Sequence, residues 1–127
     1  MNNNFIELNE TNFDREVLGA TQPVLVEFWA GWSEPCKAMA PMLQSVARDD
    51  AIAIKFARVN VEQYEILTEQ YGVRAVPTLL LFHQGSLQEE IVGPTNEQAV
   101  RERLKSLNRK SVQRIPRSRE TTMLGAR

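Results

Sequence analysis

Apolar residues recur along this chain with two periods, and the switches between them lay out the elements. Phe5 to Leu8 reads as a short strand. Thr11-Asn12-Phe13-Asp14 reads as a helix start, with Thr11 as N-cap and Asp14 in the positive first turn. Phe13 and Val17 stand four apart on one face, and Gly19 ends the element. Gln22-Pro23 imposes an extended entry into the run Val24 to Ala30. That run is apolar on both faces apart from Glu27, the pattern of a central strand covered on both sides. From Ser33 the period becomes helical. Ser33 is a favoured N-cap, Glu34 suits the positive end, and Pro35 is tolerated in the first turn. Cys36, Met39, Leu43, Val46 and Ala47 fall on the face turned to the sheet, and Pro41 inside the helix predicts a kink.

Ile52, Ile54 and Phe56 alternate and open the next strand, which continues through Val59 and Val61. Glu62 to Tyr71 is helical, with Ile66 and Leu67 inward and Gly72 as its stop. Val76 to Phe82 is a strand with Pro77 at its start, because proline cannot donate to a ladder. His83-Gln84-Gly85-Ser86 is a hairpin turn, with His83 as a turn residue, and Leu87 to Val92 is the returning strand. Gly93-Pro94 breaks it, Thr95-Asn96-Glu97-Gln98 reads as a capping box, and Val100, Leu104 and Leu107 form the stripe of a last helix. The order β-α-β-α-β-α-β-β-α implies an α/β fold, a three-layer α/β/α sandwich. Its early strands are joined by crossover helices and its last two by a hairpin, so the central sheet is mixed.

Composition bounds this picture. The 127 residues, 43% hydrophobic and 24% charged, suit one globular domain. No apolar run is long enough to cross a membrane. The first residues have neither a positive nor an apolar leader segment, so the expected location is cytoplasmic. Residues 1–107 carry nine Lys/Arg against fifteen Asp/Glu, and residues 108–127 carry six against one. The reading is an acidic domain over 1–107 and a basic, disordered tail over 108–127. The tail has no aromatic residue for stacking on bases, so nucleic acid is not its expected partner. A solvated tail, or one docked on an acidic surface, accounts for its composition.

The candidate chemistry lies where the central strand turns into its helix. Cys36 is the only cysteine, so no intramolecular disulfide is possible. One cysteine with the single His83 cannot supply four ligands to a structural zinc, and neither metal nor cofactor is expected. A lone thiol at a helix N-terminus is a setting in which cysteine can be activated, and a buried free cysteine is equally at home as a small hydrophobe. Glu27 is either a buried carboxyl with a raised pKa or a carboxylate reaching water or a lysine at the sheet end.

The segment Val24-Leu25-Val26-Glu27-Phe28-Trp29-Ala30-Gly31-Trp32-Ser33-Glu34-Pro35-Cys36-Lys37 resembles the active-site segment of thioredoxins, in which Trp-Cys-Gly-Pro-Cys-Lys follows an acid-bearing strand. Ala40-Pro41 is similar to that family's kinked helix, and Tyr71 to Thr78 to its segment carrying a cis-proline. Phe82-His83-Gln84-Gly85 and Val92-Gly93 resemble its hairpin and the glycine beside the site. The resemblance covers residues 5–107 and implies the thioredoxin fold. It also implies roles in thiol–disulfide redox homeostasis. Cys36 stands at the second, resolving cysteine, Ser33 at the nucleophilic first cysteine and Glu27 at the buried acid. Trp32, Glu34, Pro35, Val61, Ala75, Val76, Pro77, Val92 and Gly93 would line a shallow groove for a protein or peptide partner, with the Val76 backbone available for strand addition. Without a thiol at position 33, two-thiol turnover lacks its attacking sulfur. The expectation is therefore a partner-binding module unable to reduce disulfides. Its alternative is a monothiol protein in which Cys36 forms mixed disulfides with glutathione or a partner thiol.

Overall fold

A computed structural model describes residues 4–113, with side chains described through 107. Five strands form one mixed sheet: β1 (Ile6–Glu7), β2 (Val24–Trp29), β3 (Lys55–Asn60), β4 (Thr78–His83) and β5 (Ser86–Val92), in the order β1-β3-β2-β4-β5. β3 runs parallel to β1 and β2, while β4 is antiparallel to β2 and to β5. β2 therefore occupies the centre, as its two-sided apolar run requires, and its residues from Val24 to Phe28 are all buried. Three α-helices, α1 (Glu34–Ala47), α2 (Glu65–Gln70) and α3 (Glu97–Gln113), and one π-helical turn (Asp14–Leu18) cover the sheet.

Alternation along β2 divides the interior into two cores. Leu25 joins Phe56, Leu79 and Leu81 beneath Met39, Leu43 and Val46 of α1 and Val100, Leu104 and Leu107 of α3. Val24, Val26 and Phe28 join Ala57, Val59, Leu80 and Phe82 beneath Phe13 and Val17 of the π-helical turn and Leu67 of α2. Three layers result, and the thioredoxin fold implied by the resemblance is the fold observed. The β4–β5 hairpin turns through Gln84 and Gly85, both at positive φ (53° and 79°), which matches the twist of the paired strands.

Several boundaries differ from the sequence reading, and local hydrogen bonds explain them. Thr11 does not cap the first helix. Asn9 Oδ1 accepts from the amides of Thr11 and Asn12, both at 2.8 Å, so the chain turns there and the helical turn begins at Asp14. It closes with the Gly19 amide donating to the Asp14 carbonyl, so glycine does end the element. β3 begins at Lys55, not at Ile52. Asp49 Oδ1 and the Asp49 carbonyl accept from the Ala51 and Ile52 amides, which makes this stretch a turn whose isoleucines pack on the core from outside the strand. α2 is shorter than expected because Asn60 Oδ1 and the Asn60 carbonyl hold the Glu62 and Tyr64 amides in a turn. Ile66 faces outward, 67% exposed, while Leu67 alone is buried in this helix. His83 is the last residue of β4 and is buried, not part of the turn tip. α3 is capped by Asn96, whose Oδ1 accepts from the Ala99 amide at 2.9 Å, in place of the Thr95 capping box. α1 runs through Pro41, which stands on its exposed side. α3 continues to Gln113, and the rest of the tail expected from 108 onward lies outside the described residues.

Candidate functional site

The strand register gathers the site at one end of the sheet. Phe28 pairs with Thr78, Thr78 pairs with Val92, and Trp29 pairs with Asn60. The segments that leave these strand ends, Ala30–Glu34, Val61–Glu62, Ala75–Pro77 and Val92–Gly93, therefore emerge side by side. Strand pairing alone brings together residues scattered over more than half the chain.

The loop after β2 closes through the Ser33 amide, which donates to the Ala30 carbonyl at 3.2 Å. Ser33 is buried and holds an extended φ/ψ, and its Oγ accepts from the Cys36 amide at 3.2 Å. It thus satisfies one of the amides that the start of α1 leaves without an intrahelical partner. Its carbonyl accepts from the Lys37 amide and begins the helical ladder. Cys36 is a free thiol in the first turn of α1, 5% exposed and on the core-facing side with Met39. Around it the surface is open: Trp32 is 65% exposed, Pro35 is exposed, and the Glu34 side chain is 83% exposed beside Lys37 at 3.3 Å. Across the loop, Glu62 Oε1 accepts from the Gly31 amide at 3.3 Å.

On the opposite bank the Val76–Pro77 peptide bond is cis. Thr78 Oγ1 donates to the Ala75 carbonyl at 2.7 Å, which tightens the turn into β4. Gly93, at φ 86°, donates its amide to the Pro77 carbonyl at 2.8 Å and extends the β4–β5 pairing past the proline. Pro77 is buried, Val61 and Val76 are partly buried, and Ala75 and Val92 are exposed.

Glu27 lies beneath this surface, 5% exposed, on the β2 face that it shares with Leu25 and hence with α1. Burial pushes its carboxyl from the ordinary 4.5 up to about 7, and Arg58 opposes that rise without cancelling it. Arg58 is its register partner on β3, with Nε 3.9 Å from Glu27 Oε1, too far for a hydrogen bond. The guanidinium stacks instead over the Trp29 ring, 4.1 Å from its centroid. The carboxyl is thus buried with a raised pKa, and it reaches neither water nor a lysine at the sheet end; the cation beside it is Arg58 on the neighbouring strand. Sequence reasoning missed Arg58 and Glu62. The signal for Arg58 was its two-residue spacing from Phe56, which puts a lone cation on the same sheet face as the lone acid.

Among the described residues, no group of three His, Cys, Asp or Glu side chains is arranged to hold a metal ion, and no helix is long and apolar enough to cross a membrane.

Comparison with known proteins agrees with this geometry. The Thioredoxin family model matches residues 4–106. The chain is 39% identical to Thioredoxin of Pseudomonas aeruginosa over 93 residues, 73% of this chain and 86% of that protein. It is 38% identical to Thioredoxin of Acidithiobacillus ferridurans over the same shares. Against Thioredoxin M5, chloroplastic, of Oryza sativa it is 40% identical over 67% of this chain but spans about half of that protein, 49%. These matches correct the expectation of a partner-binding module unable to reduce disulfides. Proteins that the chain covers over most of their length are named thioredoxins without qualification, and a serine at position 33 does not by itself demonstrate an inability to reduce disulfides. The chain belongs to the thioredoxin family.

Proposed function

We propose that this protein is a thiol–disulfide redox protein that reduces disulfides of polypeptide substrates, with Cys36 as the reacting sulfur. The observation that carries the reading is the chain's thioredoxin-family match together with a free cysteine in the first turn of α1. The Cys36 thiolate attacks one sulfur of the substrate disulfide, forming a mixed disulfide and expelling the other sulfur as a thiolate. A small-molecule thiol attacks that mixed disulfide and frees the second substrate thiol, and a second small thiol restores Cys36 and leaves as the oxidised disulfide. Two electrons pass from two external thiols to one substrate disulfide, so the balance closes with one cysteine on the protein. Trp32, Val76, Pro77 and Val92 form the surface across which the substrate segment lies.

The test is reduction of an insulin-type disulfide substrate by a small thiol, with and without the protein. Wild type accelerates the reaction, and Cys36→Ala returns it to the rate of the thiol alone. Equal rates for wild type and Cys36→Ala would overturn the reading.

A further inference from the structure

Arg58 lies between two carboxyls and closes on neither. Strand register sets Glu7, Arg58 and Glu27 in one row across β1, β3 and β2, on one face of the sheet. Arg58 Nη1 stands 3.9 Å from Glu7 Oε2, and Nε 3.9 Å from Glu27 Oε1, both beyond hydrogen-bond length. Nε is buried and has no hydrogen-bond partner among the described residues. An arginine beside a carboxylate ordinarily closes a two-pronged pair. What holds the guanidinium instead is the face of Trp29, two residues along β2 from Glu27 and on the same side of the sheet. Among the described residues, the charged groups facing Glu27 are Arg58 on β3 and Glu7 on β1. β4 places Leu79 opposite it, α3 turns Val100, Leu104 and Leu107 to this face, and α1 turns Met39 and Leu43, with Cys36 as the titratable group on its core side.

We infer that Trp29 is a positioning residue for Glu27: its ring holds the Arg58 guanidinium off the buried carboxyl. While Glu27 is neutral, the cation gains more from the desolvated ring face than from an uncharged acid. Once ionised, Glu27 competes for the same guanidinium, and the pair closes only as the cation leaves the ring. Trp29 thereby adds to the cost of ionising Glu27 that burial already imposes. The inference concerns the acid beneath the site and stands or falls apart from the sulfur chemistry.

The test follows the Glu27 carboxyl by carbon NMR across pH in the full chain and reads the Arg58 side-chain protons in the same samples. In wild type those protons carry a ring-current shift while Glu27 is protonated and lose it as Glu27 ionises. Trp29→Phe, whose face holds a cation less well, and Trp29→Leu, which has none, lower the Glu27 midpoint in that order. Trp29→Leu lowers it by about one pH unit, the tenfold change in ionisation that a desolvated cation–π contact supplies. Removing the ring also opens the carboxyl to water, so each substitution is repeated together with Arg58→Met, where the midpoint no longer responds to Trp29. A midpoint that falls equally with and without Arg58 assigns the effect to solvent and overturns the positioning role. Wild-type Arg58 protons without a ring-current shift below the Glu27 midpoint overturn it as well, and that measurement needs no variant to fold.

Discussion

Glu27 is the residue at which the scaffold works against itself. A carboxyl 5% exposed in a two-sided apolar strand loses hydration that Arg58, 3.9 Å away and engaged with the Trp29 ring, does not replace. With the folded-state pKa raised from 4.5 to about 7, the folded protein holds the proton more tightly than the unfolded chain does. The associated stability is fully present below about pH 4.5 and is lost as the pH rises to about 7. At 1.36 kcal/mol per pH unit the loss is about 3 kcal/mol. Glu27→Gln removes this pH dependence, so denaturant midpoints of the variant and wild type should diverge between those pH values, with wild type losing stability relative to the variant as pH rises. Parallel profiles would show that Glu27 ionises in the fold as freely as in the unfolded chain. Glu27 was legible in the sequence because a single acid interrupts seven otherwise apolar positions. Arg58 was legible only as a cation two residues from Phe56; that it lies opposite Glu27 depends on the strand register, a property of the assembled sheet.

Elements were legible wherever a long apolar period specifies them, and their edges shifted wherever an Asn or Asp side chain bonds nearby amides. Asp49 takes two backbone amides and Asn9 and Asn60 three each, through side-chain or main-chain oxygens, and at each a helix or strand starts later than its apolar pattern suggests. Such side chains offer the backbone an alternative to ladder bonds, and periodicity does not register them. The start of α3 is the same problem in miniature, since Thr95 and Asn96 are adjacent and both suited to capping. The structure assigns the cap to Asn96 through its bond to the Ala99 amide. Asn96→Ala should therefore cost about 1 kcal/mol of unfolding free energy, and Thr95→Ala clearly less, as measured by urea denaturation. The opposite order would return the cap to Thr95. Ile66 was misplaced for a related reason: with α2 only six residues long, one buried side chain, Leu67, sets its orientation.

Across the whole molecule, the sheet distributes stability unevenly, and the site sits on the boundary. β2 and β4 are each paired on both sides and covered by a core on each face. Their amides reach solvent only when the two cores separate together, which is global unfolding. β1 has two residues and one neighbouring strand, and α2 anchors a single buried side chain. α3, although it starts beside the site, is held by Val100, Leu104 and Leu107 and by Arg101, which bonds Glu97 at 2.8 Å and reaches Asp49 beyond the end of α1 at 2.7 Å. The site's two banks therefore rest on supports of different strength. The Cys36 loop and Pro77 are attached to β2 and β4, while Glu62 is attached to the weakly anchored turn before α2. Native-state hydrogen exchange should follow this division. Amides of β2 and β4 exchange with the free energy of global unfolding and shift with denaturant as it does, while those of α2 exchange through smaller openings nearly independent of denaturant. If α2 were as protected as β2, Leu67 and the Asn60 turn would hold the helix as firmly as the sheet holds its centre, and the two banks would open only together.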